Sequence, residues 1–324
     1  MKLSFNNTDL RKLTMYKNNS DFFLLVLIFV FSFTSQASHF VGGEITWECI
    51  SDPTSIDFGK FIFQLKAYGD CIGISFPGAG PGLFQTLTVH GHSTIPSIDV
   101  IWESTTDISP TGTPAAGTTC HDCVSSGGIS NPFGLPNGFV IQEHTFRSLP
   151  ISLGNGNIPD PTGAVWNILT DTYDVLPRGW HFTWGSSARN AATNMTSAGA
   201  WLLRAVMYPY NDPVVGILPA APCYDSSPEF KELAKTIICT GYPFAYSHNA
   251  SDEELDEITY SWAEPLGDNF SYNPANPSAT ALTFAPNPPY SVTTPIPGNP
   301  TLDPQTGEIS YFSNSKVSAK EVGW

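Results

Sequence analysis

Charge is what this 324-residue chain has least of. Only 13% of its residues are charged, and 14 lysines and arginines stand against 29 aspartates and glutamates, a net charge of −15. A surface of that sign repels phosphate backbones and anionic lipid headgroups, so nucleic acid is excluded as a partner. Helical periodicity is also missing: Glu229 to Lys235 offers one or two turns at most. The sequence contains no Gly-x-Ser-x-Gly elbow, no His-Glu-x-x-His pair and no glycine-rich phosphate loop after a strand, which removes the commonest hydrolase and nucleotide-binding signatures. The early apolar run, Phe22 to Phe31, falls short of the about 20 residues that a membrane-spanning helix needs.

What the chain does have is punctuation and bulk. With 28 Pro and 27 Gly, 41% hydrophobic residues, 21 Phe, 12 Tyr and 8 Trp, it reads as short strands joined by ordered turns, with ample side-chain volume for a core. In FGKFIFQLKAYGD, Phe61, Phe63, Leu65 and Ala67 share one face while Gln64 and Lys66 take the other, as in a sheet with one wet side. GEITWECI, FQTLTVHG, GFVIQEHTF and WHFTWG are further strands, and AWLLRAVMY, apolar on both faces, reads as a central one. Ile258, Tyr260 and Trp262 alternate with Thr259 and Ser261, and short strands follow near Ala281 to Phe284 and Glu308 to Phe312. The fold class expected is all-β, with two antiparallel β-sandwich domains at 38–215 and 222–324 divided at the proline-rich stretch after Asn211. The first carries a long Thr/Gly/Pro/Ser-rich loop, 104–137.

The amino terminus reads as an export signal at 1–37. Lys2, Arg11, Lys12 and Lys17 precede the apolar run, and Ser35-Gln36-Ala37 supplies small residues before a cut. Its loss removes four bases and two acids, Asp9 and Asp21, and takes the net charge to near −17. The expected location is therefore secreted or cell-surface, with no transmembrane span once the signal is removed. All six cysteines, Cys49, Cys71, Cys120, Cys123, Cys223 and Cys239, lie beyond the cut, and an even number in an exported chain favours disulfides. Pairing nearest neighbours gives Cys49 with Cys71, Cys120 with Cys123 and Cys223 with Cys239, although six cysteines allow 15 connectivities.

Four segments carry a resemblance. PCYDSSPEFKELAKTIICTGYPFAYSHNASDEELDEITYSW at Pro222 to Trp262, SHFVGGEITWECI at Ser38 to Ile50, FQLKAYGDC at Phe63 to Cys71 and PYSVTTPIPGNPTLDPQTGEISY at Pro289 to Tyr311 together resemble the N-terminal region of gliding motility-associated surface proteins of gliding bacteria. Those proteins carry cadherin-like, PKD-like or immunoglobulin-like repeats and a type IX secretion sorting domain. The resemblance implies an immunoglobulin- or cadherin-like second domain, truncated at Trp324, and placement on the exterior of the outer membrane. Ser187 and Ala188 stand where relatives often have adjacent cysteines, so one disulfide of that pattern is missing.

Few residues suggest chemistry. Asp252, Glu254 and Asp256 put carboxylates at alternate positions of an acidic loop, a hard-oxygen set able to close around calcium, and cadherin-like repeats place a similar loop before a Tyr-Ser strand. Glu257 and Ala263 occupy the positions where an EF-hand needs Gly and Glu, so the alternatives are a non-EF calcium loop and a solvated turn. Calcium is the one cofactor in play. His121, within Cys120-His121-Asp122-Cys123, lacks the further ligands of a zinc site, and His90 and His92 flank Gly91 at a strand end. Glu44, Glu48 and Glu103 are carboxylates that a sheet can bring together as in a glycosidase. The expected function is a non-catalytic, adhesin-like surface module that meets an unidentified protein or glycan ligand. A carbohydrate-binding module using Trp102, Trp166 or Trp180 is the alternative, and a secreted hydrolase comes third. Aromatics in an exposed row point to the carbohydrate reading, and aromatics in the core point away from it.

Overall fold

A computed structural model describes residues 40–70, 76–108, 141–154, 166–167, 172–173, 179–187, 189, 194–196, 199–208, 223, 225–232, 243–267, 271–286, 290–296 and 299–312. The segment 1–37 expected to be a signal, most of the expected long loop, the expected domain boundary near 211–222 and the Ser187-Ala188 departure at its second residue lie outside them. Residues 37–324 form one compact unit. Among the described residues the chain is all-β with antiparallel sheets, and no helix is long and apolar enough to cross a membrane.

The principal sheet has seven strands: β1 (Phe40–Cys49), β2 (Phe61–Asp70), β3 (Phe84–His90), β4 (Ser97–Asp107), β5 (Ile141–Ser148), β8 (Trp180–Ser186) and β9 (Trp201–Met207). Their spatial order is β1-β2-β5-β4-β3-β8-β9, antiparallel throughout. The two-residue strands β6 (Trp166–Asn167) and β7 (Thr172–Tyr173) pair with each other. Period-two alternation sends one face of every long strand inward. Phe61, Phe63, Leu65 and Ala67 of β2 are fully buried, as their pattern predicts, and meet Ile45 and Trp47, Leu87 and Val89, Ile98 and Val100, Phe146, and Trp180, Phe182 and Trp184. At the centre Phe63 lies 4.6 Å from Phe182 and 6.1 Å from Trp47 between ring centroids.

The sheet curls until its two ends meet. Trp201 Nε1 of β9 donates to the Phe40 carbonyl of β1 at 2.8 Å, and the Phe40 ring sits 5.0 Å from Trp201 and 5.1 Å from Trp184. A Cβ on Gly43 would lie 2.5 Å from the Lys66 carbonyl of β2 and 2.7 Å from Leu203 Cδ1 of β9, so the neighbouring strand and the closing strand together explain a glycine in mid-strand. Gly179, at φ 56°, starts β8 where a Cβ would meet the Met207 carbonyl at 2.4 Å.

The remaining residues form small sheets and loops. β10 (Glu229–Phe230) pairs with β12 (Ala250–Ser251), and β14 (Glu308–Tyr311) lies between β11 (Phe244–Ser247) and β13 (Thr301–Leu302). Two of their attachments to the principal sheet lie beside its end strands. Beside β1, Trp47 N–H donates to Ser227 Oγ at 2.8 Å and Ser227 N–H donates to the Trp47 carbonyl at 2.9 Å, so the outer edge of β1 is covered by chain. Beside β9, Leu202 N–H donates to the Leu266 carbonyl, and Arg189, its guanidinium 3.8 Å over Trp201, donates to the carbonyls of Ala200 and Leu266.

That second attachment corrects the reading of AWLLRAVMY. β9 is the last strand of the order, and Leu202 on its outer face is buried where the carboxy-terminal segment lies beside it at Leu266. Two further differences concern composition. Residues 104–107 belong to β4, whose Ile98 and Val100 alternate inward while its Ser, Thr and Asp residues face out and imitate a loop. Ile258, Tyr260 and Trp262 are half-buried and Thr259 and Ser261 exposed, as the alternation predicts, but residues 255–265 form no ladder. Near Ala281 to Phe284 a single 3₁₀ turn, Pro277–Thr280, and isolated bridges replace a strand.

Candidate functional site

Cys49, buried on β1, bonds Cys223, with Cα atoms 5.4 Å apart across 174 residues of sequence. Nearest-neighbour pairing is thereby corrected for both: Cys49 does not join Cys71, nor Cys223 Cys239. The folding of the segment after β9 back onto β1, which sequence spacing does not express, brings residue 223 to Cys49. Cys71, Cys120, Cys123 and Cys239, with His121, lie outside the described residues.

Immediately after Cys223 the chain enters an acidic recess against β1. Ser226 Oγ accepts from Cys49 N–H at 3.3 Å, and the Ser226 N–H donates to Glu254 Oε2 at 3.2 Å. Asp252, buried, accepts from the Asp256 N–H at 3.0 Å, and the turn between them puts Leu255 in the left-handed region at φ 66°, 89% exposed. One Asp252 oxygen and one Glu254 oxygen are thus taken up by main-chain donors, while Asp256 is exposed. Among the described residues no three His, Cys, Asp or Glu side chains are grouped as a metal ion requires.

The residue that sequence reading missed is Asp225. Burial, reinforced by Glu254, Asp252 and Asp256, pushes its carboxyl up to about 7. The recess therefore favours a proton on Asp225 near neutrality. Its signal in the sequence, one Asp two residues after a cysteine, is silent until the acidic loop folds onto it.

The carboxylates Glu44, Glu48 and Glu103 each have their own surroundings. Glu44 takes Lys66 Nζ at 3.0 Å and the Tyr68 hydroxyl at 3.3 Å, and Glu48 pairs with Arg147. Glu103 is exposed at the β4 bulge, where the register slips between Trp102 and Ser104. His92 turns to the Leu153 carbonyl, its ring 4.5 Å from that of Trp180 and tilted 49° to it. His144 Nδ1 lies 2.9 Å from Thr105 Oγ1, and burial lowers its pKa to about 4. Of the tryptophans considered for sugar stacking, Trp180 is 3% exposed in the core and Trp102 is half-buried, its indole N–H donating to Thr105. The side chain of Trp166 lies outside the description.

No family model, curated protein or solved structure matches this chain.

Proposed function

We propose that this chain is an exported, non-catalytic surface module, adhesin-like and of the gliding motility-associated, type IX-secreted kind that its four sequence segments resemble. In this reading the curled sheet is a rigid platform, the region 222–324 is an immunoglobulin- or cadherin-like domain docked on it, and the exposed loops meet a protein or glycan outside the cell. The observation that carries the proposal is the Cys49–Cys223 disulfide. It ties the first strand to the far half of the chain and persists only in an oxidising compartment. The acidic composition supports the reading, because it keeps an exterior protein off anionic membranes. The burial of Trp180 and the half-burial of Trp102 weigh against sugar stacking as the mode of contact.

The test is protease shaving of intact cells that produce the chain, followed by peptide mapping without reductant. The expected result is release of its peptides from the cell exterior, with the Cys49 and Cys223 peptides linked. A chain retained inside the cell with both thiols free would sink the proposal.

A further inference from the structure

The two ends of the Cys49–Cys223 bond differ in access: Cys49 is 6% exposed, whereas Cys223 is half-buried. A thiolate that reduces the bond therefore attacks the Cys223 sulfur, forming a mixed disulfide and expelling Cys49 as a thiolate, which takes up a proton. A second thiolate attacks the reagent's sulfur in that mixed disulfide and releases the oxidised reagent and the Cys223 thiolate, so two electrons pass from two reagent thiols to the protein pair. Both steps bring negative charge to the same place. That place is bordered by carboxylates. Asp225 follows Cys223 by two residues. Ser226 alone separates Glu254 from the bridge, because its hydroxyl oxygen accepts from Cys49 N–H while its own N–H donates to Glu254 Oε2. Asp252 and the exposed Asp256 belong to the same turn. Burial, with the charges of Glu254, Asp252 and Asp256, raises the Asp225 pKa, which registers how negative the recess is. Among the described residues, Lys60, adjoining the register partner of Cys49, is paired with Asp57, and Lys231 is paired with Glu229, so neither offsets the recess.

We infer that the carboxylates beside Cys223 make the Cys49–Cys223 bond charge-selective: thiols that carry a positive group reduce it, and thiols that carry a carboxylate are held off. The physical reason is repulsion at the approach to sulfur. A 3-mercaptopropionate thiolate arrives with two negative charges, whereas a cysteamine thiolate carries an ammonium and has no net charge. The screening length is about 8 Å at physiological salt, so carboxylates one or two residues from the bridge act on the incoming reagent. The bond is thereby protected from small acidic thiols and left open to a reductant with a basic face. The inference needs the disulfide but not the export reading, since a purified, oxidised chain suffices to test it.

The experiment treats the full chain, its Cys49 and Cys223 peptides first shown to be linked, with excess cysteamine or 3-mercaptopropionate at about pH 8, near the ordinary thiol range. Loss of the Cys49–Cys223 pair is followed by alkylation and peptide mapping. The ratio of the two rates is divided by the same ratio for bis(2-hydroxyethyl) disulfide, a neutral reference that cancels differences in thiol acidity and nucleophilicity. The corrected ratio should favour cysteamine about tenfold or more at low salt. It should fall most of the way to unity at about 1 M salt, where the screening length is about 3 Å. Glu254→Gln with Asp256→Asn removes two charges and keeps an oxygen for the Ser226 N–H, and should lower the ratio several-fold. Asp256→Asn alone, at an exposed side chain, should give a smaller drop and remains informative should the double variant fail to fold. A corrected ratio near unity, a ratio indifferent to salt and to both variants, or free thiols at Cys49 and Cys223 before reductant is added would overturn the inference.

Discussion

Reducing the Cys49–Cys223 bond removes a constraint that spans most of the folded chain, and its cost can be worked from the sequence separation alone. Cross-linking two positions 174 residues apart lowers the entropy of the unfolded chain by an amount worth roughly 5 kcal/mol near room temperature. Pairing each cysteine with its nearest neighbour would be worth only about 3 kcal/mol per bond, because the closed loops are short. The bond also anchors Ser226 and Ser227 on the edge of β1, where they complete the hydrogen bonding of Trp47 and Cys49, so native-state losses add to the entropic one. The assay is urea unfolding of the Cys49→Ser, Cys223→Ser double variant against the parent chain, followed by tryptophan fluorescence. Four buried tryptophans, Trp47, Trp180, Trp184 and Trp201, report on the core. We expect the double variant to lose several kcal/mol and the parent chain, unfolded with its disulfide intact, to keep the difference. Equal midpoints for the two proteins would refute the reasoning, as would a Cys49 peptide linked to Cys71.

Three further outcomes follow from the geometry. Phe63→Ala empties the centre of the core between Phe182 and Trp47 and should cost about 3–5 kcal/mol by denaturant unfolding; a loss under 1 kcal/mol, roughly the size of a surface change, would contradict its placement. The Asp225 carboxyl has a folded-state pKa of about 7, above its unfolded value, so the unfolded chain sheds its proton first and stability falls as pH rises from about 4 to about 7. Asp225→Asn should flatten that fall and raise the melting temperature above pH 7, and a variant that melts lower there would show the carboxylate to be stabilising. Asp252→Ala removes the acceptor for the Asp256 N–H and should cost about 1 kcal/mol whether or not calcium is present; a loss that appears only with calcium would establish a metal site at Asp252, Glu254 and Asp256.

Much of the fold was legible because one signal, alternation of large apolar residues, is local and survives without any partner. Phe61, Phe63, Leu65 and Ala67 declare their buried face within a single strand, and they are fully buried. β4 hid because its outward residues are the Ser, Thr and Asp that also make loops, and only pairing with β3 and β5 separates the two cases. β9 reads as central because two apolar faces usually belong to a strand inside a sheet, but a segment laid over the outer face buries Leu202 of a terminal strand just as well, and composition does not distinguish the two.

For the site the limit is distance along the chain. Sequence by itself determined the all-β class, the acidic surface and which residues carry charge or thiols, since these depend on composition and on neighbours one or two positions away. Tertiary structure alone decided that Cys223 meets Cys49, that Asp225 lies under the carboxylates of 252–256, and that Tyr272 reaches His181. Each of those contacts joins segments that are not neighbours in sequence, and folding of the chain around a buried aromatic core, which no local pattern encodes, is what brings them together.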